Sequence, residues 1–305
     1  MSSYIIRRVS QIIPVIFIIT FIIFALVRIA GDPVTLMLSE NATDEEIAAL
    51  EKSMNLDKPL FVQYGYYLKD ITQGSFGDSY RYNQDALKIV LEKLPATFEL
   101  GIVSIIIAII IAIPLGIWSA VRKNTFIDVF ITGASVFGKA MPNFWLSIML
   151  ILLFSVQFEL FPVSGRGSFM HLILPAFSLA TVIAPDIARL TRSSMLEVLN
   201  QDYIRTAKSK GLNNLVVIFR HAFRNSLLPV ISIVSLQVSA ILAGSIITET
   251  IFSWPGMGQL LIESIMERDM AIVQAAVFVI SIFVIIINLL TDIIYHLVDP
   301  RIKYN

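Results

Sequence analysis

The chain has 305 residues, 56% of them hydrophobic and only 15% charged. Soluble domains average about 45–50% apolar and about 25% charged, so the composition excludes an ordinary soluble enzyme. Net charge is zero (23 basic against 23 acidic residues), there is no cysteine, and the three histidines, His171, His221 and His296, are far apart. That removes disulfides, thiolate chemistry and a histidine metal motif, and leaves the placement of charge as the informative quantity.

A bilayer core of about 30 Å needs about 20 apolar residues in a helix. Uncharged runs of that length occur at Val9–Val27, Leu100–Val121, Ala140–Phe158, Gly167–Pro185, Asn225–Thr248 and Met270–Thr291. They predict an all-α membrane protein with six transmembrane helices. The first run follows Arg7 and Arg8 but is too long for a signal-peptide core and lacks a small-residue cleavage site, so it is read as a retained helix. The division expected is residues 1–30 for the N-terminus and first span, 31–97 for an extracytoplasmic loop, 98–298 for the core with the other five spans, and 299–305 for the C-terminus.

In the first loop, Asn41-Ala-Thr-Asp-Glu-Glu reads as a helix start, with Ile47, Leu50 and Met54 following at helical spacing. Asp57-Lys-Pro59 ends that helix, Phe61 to Tyr67 supplies interfacial aromatics, and Gly74-Ser-Phe-Gly77 is a turn. No internal repeat, low-complexity tract or enzyme-sized soluble domain is present. Pro14, Pro114 and Pro175 fall inside spans and predict kinks.

Residues 193–225 form the longest polar connection after the second span. Within it Asp202 is placed to cap a short helix, Tyr203 to Lys210, stopped by Gly211. A second, amphipathic helix follows, with Leu212, Leu215, Val216, Phe219, Ala222 and Phe223 on one side and Arg220, His221 and Arg224 on the other. The expectation is a helix lying in the inner membrane surface. After the fifth span, Trp254 reads as an interfacial anchor and Pro255-Gly256 as a turn, from which Gln259–Ile265 re-enters as a short helix.

Charge inside a span is costly, so polar groups there are candidates for function. Asp186 and Arg189 are one turn apart and predict an ion pair. Gln237 in the fifth span, and Asn288 and Asp292 on one face of the sixth, are candidates to line a polar pathway. Gly133-Ala-Ser-Val-Phe-Gly138-Lys139-Ala140 has the spacing of a phosphate-binding loop, but Ala140 stands where a magnesium-binding Ser or Thr is needed, and the context is apolar helix. It is rejected.

Segment 202–229, DYIRTAKSKGLNNLVVIFRHAFRNSLLP, resembles the EAA loop of ABC importer permeases: a small-residue triplet, here Arg205-Thr206-Ala207, a glycine four residues on, Gly211, and a distal Leu228-Pro229. The Arg-Thr-Ala triplet is similar to that of the dipeptide/oligopeptide/nickel branch. Pro142-Asn-Phe-Trp145, Leu160-Phe-Pro-Val-Ser-Gly165, Glu249-Thr-Ile-Phe-Ser-Trp-Pro-Gly256 and Asp299-Pro-Arg301 fit that branch in the right order. The resemblance implies an ABC type I importer permease fold in a bacterial or archaeal inner membrane, with no covalent chemistry and no cofactor of its own. ATP and Mg would sit on two partner ATPase subunits, beside a homologous second permease and an extracytoplasmic solute-binding protein. Nucleic acid is not an expected partner; membrane lipid is.

The resemblance also implies site roles. Asp202, Tyr203, Arg205, Thr206, Ala207, Lys208 and Gly211 would couple to the ATPase, with a partner surface approaching closely at the small residues. Trp254, Pro255 and Gly256 would form an outer gate or meet the binding protein. Peptides, nickel or a metal chelate all suit such a system. A secondary transporter would show interrupted helices in two matching halves, and a membrane-embedded enzyme a catalytic constellation; neither pattern is found.

Orientation follows from Lys and Arg. With the N-terminus in the cytoplasm, thirteen basic residues fall in the inner segments and only Arg166 and Arg268 in the short outer loops. Cysteines placed singly by Ser164→Cys and Ser253→Cys should therefore react with an impermeant thiol reagent applied to intact cells, and Asn214→Cys should not. Labelling of the Asn214→Cys chain from outside would reverse the topology.

Overall fold

The computed structural model describes residues 2–30, 43, 45, 48, 52 and 56–298. Glu45, Ala48 and Lys52 are helical, but the stripe positions Ile47, Leu50 and Met54, and the Asp299-Pro-Arg301 motif, lie outside the described residues. The described chain is almost all helix: α1 (Ser2–Ala30), α2 (Leu60–Thr72), a two-residue hairpin β1 (Asp78–Ser79) and β2 (Gln84–Asp85), α3 (Ala86–Val121), α4 (Phe126–Ala140), α5 (Asn143–Leu150), α6 (Phe169–Leu199), α7 (Asp202–Ser209), α8 (Asn214–Val216), α9 (Arg224–Ile251), α10 (Met257–Met266) and α11 (Met270–Val298). Two π-helical stretches extend this series, Ile151–Gln157 after α5 and Val217–Phe223 between α8 and α9. Five described helices are long and apolar enough to cross a bilayer, and six if α4 with α5 counts as one bent span.

The described residues form two compact units, one within Met1–Pro95 and Gly256–Ile286, the other within Ala96–Pro255 and Ile287–Asn305. The expected division at residue 97 thus falls inside α3, which runs unbroken for 36 residues. Asp85 starts it by accepting the Lys88 backbone N–H at 2.8 Å.

In the first unit, α2 carries the aromatics expected at an interface and uses them against α1. The Tyr64 ring meets Phe17 and Phe21 edge-on, at centroid distances of 5.5 and 5.6 Å, while its hydroxyl bonds Thr20 at 2.9 Å. Tyr67 is half-buried beside it, and that burial pushes its phenol up. Asp78 pairs with Asp85 and Ser79 with Gln84 in the antiparallel hairpin. Ser79 donates to Asp269 at 2.5 Å, and Tyr80 and Arg81 both bond Glu267.

The second unit is built on α6. Half of its apolar stretch is buried, against 22% in α1. Ala176, Leu179, Ala180, Ile183 and Ile187 pack onto Leu100, Ala108 and Ala112 of α3 and onto Val230 and Ile241 of α9. Gly116 is where α3 and α6 approach closely: a Cβ there would stand 2.6 Å from the Ala188 carbonyl oxygen. Ser168 and His171 close a capping box on the first turn of α6. The helix continues through Pro175, as α1 does through Pro14 and α3 through Pro114, without a break.

Two expectations are corrected. The third span does not begin at Ala140: α4 ends there, and the chain turns by 101° into α5. Met141 is extended (φ −71°, ψ 129°), the conformation a following proline favours, and Pro142 opens the next helix. The amphipathic segment after Gly211 is not a separate surface helix. It is the π-helical start of the fifth span, leading without a break into α9.

Three helices are joined at Asp128 on the first turn of α4. Its carboxylate accepts from Arg192 Nε and Nη2 of α6 at 2.7 and 2.8 Å, from Ser119 of α3 at 2.5 Å, and from the Asn124 backbone at 2.9 Å. Asp128 is buried, and deleting one partner of a buried ion pair typically costs about 3–5 kcal/mol. Four donors satisfy one carboxylate.

Candidate functional site

The short helix α7 is one residue out of step with the sequence expectation. Gln201, not Asp202, occupies the N-cap, and Asp202 begins the helix 3.5 Å from Arg205. Both are exposed, so that pair contributes little, although an acid in the first turn suits the helix dipole. Gly211 has φ +75°, and the space where a side chain would stand is open, so it is the backbone conformation that requires glycine. Asn213 then caps α8 by accepting the Leu215 N–H at 2.9 Å.

The two faces of α7 do different work. Ile204 (1% exposed) and Ala207 (7%) turn inward onto Ile117 and Ala120 of α3, Met195 of α6, and Val217 and Ala222. Tyr203, Arg205, Thr206 and Lys208 are exposed. The expected close approach of a partner at Ala207 is therefore corrected. Its small side chain lets α7 lie close on this chain's own spans, and Thr206 is the small residue left facing outward.

A second group of polar residues joins α4, α6 and α9. Asp186 on α6 accepts from Lys139 Nζ of α4 at 2.7 Å, from Arg189 at 3.1 Å and from Gln237 Nε2 of α9 at 3.0 Å. The Asp186–Arg189 spacing and Gln237 are visible in the sequence, whereas Lys139 stands out there only within the rejected phosphate-loop pattern. Lys139, Asp186 and Arg189, with Arg192, line a cavity of about 400 Å³. Nearby in sequence, Asn143 of α5 donates to Thr248 of α9 at 2.8 Å and accepts from Ser178 of α6 at 2.8 Å, while Ser178 bonds Ser147 at 2.7 Å. Asn288 accepts from Ser239 at 2.8 Å, and Asp292 is half-buried one turn farther along α11.

Trp254 is not an interfacial anchor. It is 1% exposed, and its indole N–H donates to the Ala96 carbonyl at 2.8 Å, as a buried indole requires. The Arg166 guanidinium lies 5.6 Å from its ring and bonds Glu99. The Gly165 N–H reaches the Phe252 carbonyl at 2.8 Å. Pro255 and Gly256 follow, and the short helix expected over Gln259–Ile265 is α10, Met257–Met266. Among the described residues no cluster of three or more His, Asp or Glu side chains is placed to hold a metal ion.

The sequence profile described as a binding-protein-dependent transport system inner membrane component matches residues 112–304, and the profile of its N-terminal region matches residues 1–101. The chain belongs to this family. It is a permease subunit of an ABC importer, a multi-pass inner-membrane protein and not an enzyme. The permease is 40% identical to the dipeptide transport system permease protein DppB of Escherichia coli K12, over 100% of this chain and 99% of that one. It is 41% identical to the oligopeptide transport system permease protein AppB of Bacillus subtilis, over 100% of both. Among solved structures it is similar to a chain of the inward-facing MetNI methionine ABC transporter, with a TM-score of 0.59 and 17% identity over 69% of this chain and 96% of that one. That likeness shows the fold.

The packing of α7 makes a direct prediction for the purified permease. Ala207→Trp overfills a buried position and should lower the thermal unfolding midpoint, at a typical cost of about 1–3 kcal/mol. Thr206→Trp, one residue away on the exposed face, should leave it unchanged. Equal midpoints for the two variants would contradict the assigned orientation of α7.

Proposed function

We propose that this permease conducts dipeptides or oligopeptides as half of the transmembrane pathway of an ABC importer. The single observation that carries the reading is identity near 40% over the whole of both chains to permeases named for dipeptide and oligopeptide transport. In this reading a homologous second permease completes the pathway, and an extracytoplasmic solute-binding protein delivers the peptide. Two ATPase subunits bind ATP and Mg. Both termini of the chain are cytoplasmic, as the thirteen inner cations favour.

The geometry suits a mechanical role for α7. Tyr203, Arg205, Thr206 and Lys208 form the face that docks on the ATPase, while Ile204 and Ala207 are seated on the ends of α3 and α6. A rigid displacement of α7 as the ATPases close on ATP is passed to those two spans, because packed side chains transmit strain rather than absorb it. Gly211 lets the chain reverse into the fifth span without loosening that contact. The pathway then opens outward, accepts the peptide, and releases it inward when hydrolysis resets the ATPases. The permease contributes alternating geometry and no bond chemistry.

The test is uptake by cells in which the chromosomal copy is deleted and then restored, with radiolabelled Ala-Ala and with nickel in parallel. The expected result is loss of most Ala-Ala uptake on deletion, recovery on restoration, and nickel uptake unchanged. Loss of nickel uptake with Ala-Ala unaffected would overturn the peptide reading and favour a metal solute.

A further inference from the structure

We propose that Lys139, Arg189 and Asp186 form a site within the transport pathway that receives the charged termini of a peptide, its free carboxylate on Lys139 and Arg189 and its ammonium on Asp186. The site rests on the peptide reading above and is the part of the chain that handles the solute.

Charge in the cavity is unbalanced. Three cations line it, Lys139, Arg189 and Arg192, with one acid, Asp186. Arg192 is neutralised by the two-point bond to Asp128. Lys139 and Arg189 are then left sharing the single carboxylate of Asp186, at 2.7 and 3.1 Å. A structural ion pair needs one cation. One surplus positive charge therefore faces the cavity. A carboxylate entering it brings two acids to two cations, and a peptide's ammonium gives Asp186 a replacement partner for whichever cation leaves.

The rest of the lining supports a solute of that kind. Ile131, Val136, Pro185 and Ala188 give apolar wall, with hydroxyls at Thr132 and Ser135. Such a wall accepts varied side chains without selecting among them, while charged groups fix the termini that all peptides share. A volume of about 400 Å³ lies in the range of pockets that bury small ligands. The side chains differ in freedom: Asp186 is 19% exposed and held also by Gln237, whereas Arg189 is 73% exposed and can swing onto an arriving carboxylate.

Asp186 also lies on the helix whose inner end is packed by α7. Met195, about 13 Å farther along α6 at 1.5 Å per residue, touches the cluster that seats Ile204 and Ala207. A displacement delivered through α7 therefore reaches the helix that carries the acid.

The experiment uses the complete importer in proteoliposomes, with its own solute-binding protein present at saturating peptide. The probes are Ala-Ala and its C-terminal amide, and initial uptake rates are compared for the wild type, Arg189→Gln, the double variant Lys139→Gln with Arg189→Gln, and Lys139→Arg. The binding protein is the same throughout, so a change in the ratio of the two rates belongs to the permease. The expected result is a fall of about tenfold or more for Ala-Ala in the double variant, equivalent to one lost charge-assisted contact, with the amide changed by less than about twofold. Lys139→Arg should keep the wild-type ratio. Arg189→Gln removes only an exposed side chain and should shift the ratio in the same direction by a smaller factor, a readout that survives if the double variant does not assemble. An unchanged ratio in Arg189→Gln, or parallel falls for both probes in the double variant, would overturn the site while leaving the peptide reading intact. Failure of the wild type to take up Ala-Ala at all would overturn both.

Discussion

A polar group in hydrocarbon has no water to bond, so it must find a partner on the same chain or on a neighbouring one. In the second unit this constraint decides which helix faces meet. Asp128 gathers Ser119, Asn124 and Arg192, and so joins α3, α4 and α6. Asn143 bridges Ser178 and Thr248, and so joins α5, α6 and α9. Asp186 draws Lys139 from α4 and Gln237 from α9 onto α6. Apolar packing alone drives helices together only weakly when lipid tails are equally apolar, and these bonds supply the specificity that packing lacks.

The same constraint separates polar groups that are fully engaged from the one proposed to receive a solute. Asp128 is buried and fully engaged, and Asn143 uses both ends of its amide. Asp186 is engaged by more cation than it can neutralise, and it borders a cavity. α6 carries members of all three groups and, at Met195, the contact with α7. A single helix therefore links the seat of α7 to the polar centre, over a close crossing with α3 that Gly116 permits.

Much of this is legible in the sequence because membrane spans are written as uninterrupted apolar runs. The positions of α1, α3, α6, α9 and α11 follow from those runs, and the short helix before Gly211 follows from its polar composition and its stop signal. What periodicity cannot show is partnership. Lys139 and Asp128 lie in a stretch that reads as the flank of a span, and only the turn at Met141–Pro142 brings α4 alongside α6. Ala207 reads as a docking surface because small residues invite close approach, but sequence alone does not say on which side the approach occurs. Trp254 reads as interfacial by type; its burial depends on the Ala96 carbonyl, 158 positions away. Contacts that distant leave no local signature.

The central claim is that this chain moves solute only as the membrane part of an ATP-driven machine. The most direct measurement is solute uptake into proteoliposomes holding the permease pair and its binding protein, with and without the ATPase subunits and ATP. Uptake should require both ATPase and ATP, and should be unaffected when proton and sodium gradients are collapsed. Accumulation that persists without the ATPases and follows an imposed ion gradient would contradict the account.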